Sequence, residues 1–270
     1  MRARVLVDNT PAGEIQGEWG LSIYIEQGDK KILLDTGASG LFLENAKEFG
    51  IDLSEVDLAV LSHAHSDHAN GMPAFFAINK KAKFYLQAKA GENCYSKGRF
   101  LYKYEGLPKG MLKQYRDRIA FVSDNYKLCE GVWLIPHKTA GLETIGKREK
   151  LYVRRGLRWF PDDFAHEQSL VLETEQGLAI FNSCSHGGAY TIIEEVRAVF
   201  PEKPVCAMVG GFHLYTRSEA EVRQFAGRLK EMQVGYICTG HCTGDKAYDI
   251  LREELGESLH HLHVGLTIEI

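Results

Sequence analysis

The sequence predicts an α/β protein folded as one domain over residues 1–270. Three observations lead there. Short apolar runs separated by Gly-bearing turns, at 21–27 with 31–35 and at 168–174 with 178–182, read as hairpins. Segments with helical apolar spacing, at 41–49, 190–200, 218–233 and 245–255, lie among the strands. A chain of 270 residues, 44% hydrophobic and 25% charged, can bury a full core. Two mixed sheets packed face to face, with helices on both outer faces, fit this order of elements.

The N-terminal residues 2–8 read as a first strand rather than a signal peptide, because no long apolar stretch follows the initial charges. Strands at 21–27 and 31–35 meet at Gly28-Asp29, and Thr36-Gly37 closes the second. The helix over 41–49 ends at Gly50, a natural C-cap. An apolar strand at 58–61 follows, then a helix over 72–81 and a strand over 82–86. Residues 92–126 and 137–160 read as irregular, rich in Tyr, Lys and Arg, on either side of one strand at 127–136. Beyond the hairpin of 168–182 the pattern predicts strands at 204–209, 234–239 and 264–270, alternating with helices. Thr216 and Glu219 offer a capping box for the helix over 218–233.

Bulk properties narrow the function. A net charge of -4 gives no general reason to bind nucleic acid. No stretch approaches a membrane span. Six cysteines without a C-x-x-C pair argue against a disulfide framework and for a reducing cytoplasm.

The stretch that carries chemistry runs from Val56 to Gly71. An apolar strand breaks into His63, His65, Asp67 and His68, four potential metal ligands within six positions. Alternate side chains in a turn leaving a strand can converge, so His63 and His65 can share one metal. Asp67 and His68 can then serve a second. Neutral imidazole and carboxylate suit zinc and related first-row ions. Three later strands also run into histidine: S-C-S-H-G-G with Cys184 and His186, G-G-F-H-L with His213, and G-H-C-T-G with His241. Glycines there let the backbone turn sharply beside a ligand. His137, His260, His261 and His263 have weaker contexts. Asp35 ends an apolar strand, where a carboxylate must be bonded to be tolerated, and could hold the histidine loop by hydrogen bonds.

H-A-H-S-D-H, preceded by L-L-D-T-G and followed by the late histidines, resembles the metallo-β-lactamase superfamily over nearly the whole chain. The C-S-H-x-G, G-G-F-H-L and H-C-T-G set is similar to the subgroup that includes the dihydropterin–aminobenzene ribofuranosyl phosphate synthase of methanopterin biosynthesis. The resemblance implies a four-layer αββα sandwich with a one- or two-metal site at the edge between the sheets. It implies His63, His65, Asp67, His68 and His241 as ligands and Asp35 as the structural acid. His186 is then the third ligand of the first metal, over His166. Where many members have a bridging Asp, this chain has Cys184 or Ser185. Cys184, His213 and Asp35 stand as further ligand or supporting candidates. The implied cofactor is zinc, as one or two ions, with manganese and iron as alternatives.

Metal-activated water gives hydrolysis without a Ser or Cys nucleophile, and Asp67 would orient it or bind the second metal. A pterin-condensing transferase and an iron-dependent oxidoreductase are the competing readings. Residues 92–160 carry fifteen Lys/Arg against seven Asp/Glu, with Tyr95, Tyr102, Tyr104, Tyr152 and Trp159. A basic, aromatic lid over a metal cleft would favour a small anionic substrate, phosphorylated or ring-bearing.

Overall fold

The computed structural model describes residues 1–270 in full. In chain order its strands and α-helices are β1 (Arg2–Val7), β2 (Ser22–Gln27), β3 (Lys30–Leu34), α1 (Leu41–Glu48), β4 (Leu58–Val60), α2 (Ser66–Ala69), α3 (Met72–Ile78), β5 (Lys83–Gln87), β6 (Cys94–Lys97), β7 (Tyr102–Tyr104), α4 (Met111–Gln114), β8 (Ile119–Val122), β9 (Tyr126–Cys129) and β10 (Val132–Pro136). There follow α5 (Glu143–Glu149), β11 (Leu151–Arg155), β12 (Arg158–Pro161), β13 (Gln168–Thr174), β14 (Gly177–Cys184), α6 (Ala189–Val199), β15 (Val205–Gly211), α7 (Glu219–Glu231), β16 (Tyr236–Thr239), α8 (Asp245–Leu255), β17 (Leu259–His261) and β18 (Thr267–Glu269).

Two seven-stranded mixed sheets form the centre, in the orders β18-β1-β2-β3-β4-β5-β8 and β17-β16-β15-β14-β13-β10-β9. Strand alternation assigns each face. Ile32 and Leu34 of β3 and Ala179 and Phe181 of β14 meet in one apolar layer between the sheets. Leu33 turns outward to a second layer with Phe42 and Phe75 from α1 and α3. Leu178 and Ile180 turn outward to a third, beneath α6, α7 and α8. Three apolar layers separating helices, sheet, sheet and helices are the αββα sandwich the sequence led us to expect. No helix is long and apolar enough to cross a membrane.

Several local readings are corrected. Residues 92–160 are not irregular: β12, β11, β6 and β7 form a four-stranded antiparallel sheet of their own. Its strands are three to five residues long and mostly charged or tyrosine, so they lack the apolar alternation that marks a strand. Residues 127–136 are a hairpin, because Gly131 adopts φ +69 and turns β9 back on β10. The segment read as one strand over 264–270 is confined to β18, which joins β1, while β17 extends the other sheet before it. The helix read over 72–81 stops at Ile78, where Asn79 is extended and its side chain bonds three backbone carbonyls. The capping box belongs to Ser218 and Glu221, not to Thr216 and Glu219.

The sheets place their chemistry at one edge. β14, β15, β16 and β17 run parallel, as do β3, β4 and β5. The histidine-bearing turns leave the carboxyl ends of β4, β14, β15 and β16, which is where open α/β sheets collect ligands.

Candidate metal centre

The turn after β3 fixes the loop after β4. Asp35 is fully buried and left-handed, with φ +58. Its carboxylate accepts from the Ser62 N–H at 2.7 Å, the Ser62 hydroxyl at 2.6 Å and His68 Nδ1 at 2.9 Å. Thr36 binds the His68 carbonyl through both its N–H and its hydroxyl. Gly71 closes the loop, since a Cβ there would lie 2.4 Å from the Thr36 carbonyl oxygen.

These bonds set tautomers. The Ser62 hydroxyl donates to Asp35, so His63 Nδ1, 2.8 Å away, donates to the hydroxyl and leaves Nε2 bare. His68 donates through Nδ1 and turns Nε2 toward Asp67 and Cys184. His241 Nδ1 donates to Asn9 Oδ1 at 3.1 Å, again baring Nε2. His63 Nε2, His241 Nε2 and both ring nitrogens of His186 are buried without any partner. A bare, buried imidazole nitrogen is expensive unless something binds it.

The bare nitrogens converge. One ring nitrogen each from His63, His65 and His186 lies within 4.8 Å of the others. Burial, and then the neighbouring imidazoles, hold His63 and His186 well below the usual histidine range, which keeps them neutral. Asp67 Oδ2 stands 3.6 Å from both His68 Nε2 and His241 Nε2, forming a second set. Burial pushes the His68 ring down, but Asp67 and Asp35 outweigh it and raise its pKa to about 9. Cys184 groups with His63 and His68, with His241 and Cys242, and with His186 and His213, so it stands between the two sets. Ser185 faces elsewhere and takes no part.

His166 and His186 differ in what their nitrogens do. His166 Nδ1 accepts from the Ala64 N–H at 3.1 Å and Nε2 reaches Asp162 Oδ2 at 3.1 Å. Asp162 alone would favour a charged ring, but the Ala64 N–H requires a bare Nδ1, so His166 is neutral and fully occupied. Asp162 also stands 3.7 Å from His65 Nε2 and orients that ring. His213 lies beside Cys184 and His186 but also faces Glu149 at 3.5 Å. His137 is buried between Glu167 at 2.7 Å and Glu195 at 2.8 Å, away from both sets. His260 stacks on Tyr236 and His261 lies tilted against Tyr248, also outside them.

Strain concentrates here as well. Asp35, Phe164, His213 and His241 are four of seven non-glycine residues with positive φ. Such residues persist where the surrounding structure over-determines them, and they gather at functional sites.

A cavity of about 510 Å³ opens on the centre, walled by Asp67, Cys184, His186, Trp19 and Tyr215 among others. The third sheet contributes Ser96, Lys103 and Leu151 to it. By alternation Tyr95, Tyr104 and Tyr152 point the other way, and Trp159 stacks on Tyr102 at 3.8 Å. The expected aromatic lid is therefore corrected: those rings pack on one another, and the rings at the cavity mouth are Trp19 and Tyr215, 5.8 Å apart and each about half exposed. Neither was singled out for the site from sequence, nor was Cys242, whose Sγ lies 3.2 Å from Cys184 Sγ. Cys184 donates to Cys242, and that bond, with His241 and His213 alongside, holds the Cys242 thiol below the usual cysteine range despite its burial. Its place in G-H-C-T-G, mirroring S-C-S-H, was the available signal.

The profile of the metallo-beta-lactamase superfamily matches residues 20–199. The chain belongs to this superfamily. A relative from Methanocaldococcus jannaschii, 7,8-dihydropterin-6-methyl-4-(beta-D-ribofuranosyl)-aminobenzene-5'-phosphate synthase, is 31% identical over 93% of this chain and 89% of its own. An uncharacterised protein of the same organism is 27% identical over 99% of both chains. The crystal structure of a metal-dependent hydrolase of the beta-lactamase superfamily superposes with a TM-score of 0.85 at 28% identity, covering 100% of this chain and 99% of that one. The superfamily's metal dependence fits the donor set found here: imidazoles, a carboxylate and cysteine sulfur suit zinc or another first-row ion.

Proposed function

We propose that the chain is a metal-dependent hydrolase of a small, anionic, ring-bearing molecule. The observation that carries this reading is the pair of buried donor sets, with bare nitrogens, at the floor of the 510 Å³ cavity. His63, His65 and His186 hold the first metal, and Asp67, His68 and His241 hold the second. Ions there supply Lewis acidity, acidifying water and offsetting negative charge that develops on the substrate. Zinc is the favoured ion because Cys184 and Cys242 add soft sulfur beside the imidazoles.

The chain's own groups do the rest. Asp35, Ser62 and Asn9 orient His68, His63 and His241 through their Nδ1 atoms, and Asp162 stands beside His65. Asp67 Oδ2, between His68 and His241, orients the attacking water. Trp19 and Tyr215 offer ring faces and edges at the mouth, and Lys103, paired with Glu105 at 2.9 Å, is the cation on the wall. The partner in this reading is a small molecule.

A second reading is supported by the 31% identical synthase: transfer that joins a pterin to a ribofuranosyl aminobenzene phosphate. Both readings use the same donor sets. The test is a panel of lactones, thioesters, phosphodiesters and pterin substrates, run with the zinc-, manganese- and iron-loaded protein. Metal-dependent hydrolysis supports the first reading, and conjugate formation without net hydrolysis replaces it with the second. A chain that binds no metal overturns both.

A further inference from the structure

Beside the metal centre lies a second cavity of about 230 Å³. His186 and His213 line both, so the two share a wall. This space is below the roughly 300–1,000 Å³ that usually takes a whole ligand, and suits one group of a larger one. We propose that it seats a phosphoryl group of the substrate while the rest of the molecule occupies the larger cavity. The inference rests on the metal cluster being the reaction centre.

Three observations meet there. First, α6 begins at the cavity with Gly188 as N-cap and no side chain capping it. Gly187, Gly188 and Tyr190 at the start of this eleven-residue helix line the space, and helix N-termini favour anions. Second, Arg148, Arg217 and Arg228 stand on its walls. The carboxylates near them are Glu149, 2.5 Å from Arg217 and 3.3 Å from Arg148, and Glu221. Glu221 accepts the Ser218 N–H and hydroxyl in the α7 capping box, and lies 4.0 Å from Arg217. Arg228 pairs with no acid; it donates to the Tyr190 hydroxyl at 3.0 Å and lies over that ring. Three guanidinium groups against two carboxylates leave positive charge in excess.

Third, Ser185 lines the cavity with its Oγ buried and without a partner, the residue being 2% exposed. Its backbone is fully used, the N–H on Gly211 and the carbonyl by Gly188. An orphan hydroxyl is destabilising unless it bonds a ligand. A phosphoryl oxygen would satisfy the Ser185 hydroxyl, the helix N–H groups and the arginines together.

The test is titration calorimetry on the metal-loaded, full-length protein with inorganic phosphate and with phenyl phosphate. The substitutions are the double change Arg148→Gln with Arg228→Gln, both on exposed side chains, and separately Ser185→Ala. Hydrogen bonds to charged groups contribute about 1.5–3 kcal/mol, so losing one weakens binding about tenfold or more. Phosphate affinity should fall at least that far in the double variant and severalfold in Ser185→Ala. Ser185→Ala removes an orphan hydroxyl, so its melting temperature should hold or rise while its phosphate affinity drops. Phenyl phosphate should bind more tightly than phosphate, because its ring reaches the neighbouring cavity. Equal affinity for the two ligands would mean a free-anion site and overturn the substrate assignment. Affinity unchanged by the arginine and serine substitutions but lost with chelation would put phosphate on the metals, overturning the subsite and leaving the metal reading intact. Arginine-dependent phosphate binding by a chain that holds no metal would support the subsite and overturn the metal reading.

Discussion

Replacing Asp35 by Asn tests whether hydrogen-bond direction, rather than mere packing, arms the second donor set. The change keeps size and shape. It keeps the backbone too, since Asn tolerates the left-handed φ of +58. Asn Oδ1 can still accept from the Ser62 N–H. The atom that replaces Oδ2 is an amide that only donates, and it faces both the Ser62 hydroxyl and His68 Nδ1. The hydroxyl can adapt by accepting. His68 cannot: to accept at Nδ1 it must carry its proton on Nε2, the nitrogen aimed at Asp67. Metal binding there then requires breaking one charge-assisted or amide hydrogen bond, about 1.5–3 kcal/mol, or roughly 10- to 150-fold in affinity. The His63, His65 and His186 set should weaken by only a few fold. Competition against a chromophoric chelator, with two resolved sites, measures both constants, and near-UV circular dichroism checks the fold. Equal loss at both sites, or none at either, would refute the tautomer argument. Asp35→Ala is a poorer probe, because a left-handed Ala adds about 1–2 kcal/mol of strain and strands three donors.

Two further outcomes follow from the same geometry. His186→Ala should strip the first metal, whereas His166→Ala should leave stoichiometry intact and weaken affinity about 10–100-fold through the freed Ala64–Asp162 contacts; elemental analysis after dialysis decides, and the reverse pattern would exchange their roles. His137→Gln should destabilise the fold by about 3–5 kcal/mol near pH 6, because it removes the buried cation that faces Glu167 and Glu195. The two glutamates raise the His137 pKa to about 10 against its burial, above the unfolded value of about 6.5, so its contribution is full below pH 6.5 and fades as pH rises through 10. Urea melts at pH 6, 8 and 10 should show the gap between parent and variant shrinking, and a constant gap would rule this out.

What could be read from the residues follows from how strongly each is constrained. The hairpins at 21–35 and 168–182 are buried on both faces, so they carry continuous apolar runs bounded by Gly turns. The histidine loop was legible because residue type and spacing both matter to a metal. The third sheet was not, because it buries little beyond Cys94 and Val153, and its tyrosines cover one another rather than a core. Trp19 and Tyr215 sit 196 positions apart and meet only through the fold. The choice of Cys184 over Ser185 at the centre turns on which side of β14 each residue faces. Those facings needed the register of β14 against β15, which shifts between Phe181 and Cys184.

Each proposed ion takes ligands from both halves of the sandwich. His63 and His65 follow β4 of one sheet, and His186 follows β14 of the other; Asp67 and His68 face His241 in the same way. An ion held there is a reversible cross-link between two sheets that are otherwise joined by side-chain packing and the connecting chain. The unfolded chain cannot offer the same cage, so occupancy adds to the unfolding free energy by mass action, about 2.7 kcal/mol at a free ion concentration one hundred times Kd. The melting temperature of this protein should therefore report the free-metal concentration around it, and a cell that starves it of metal would loosen the clasp between its halves before any substrate is met.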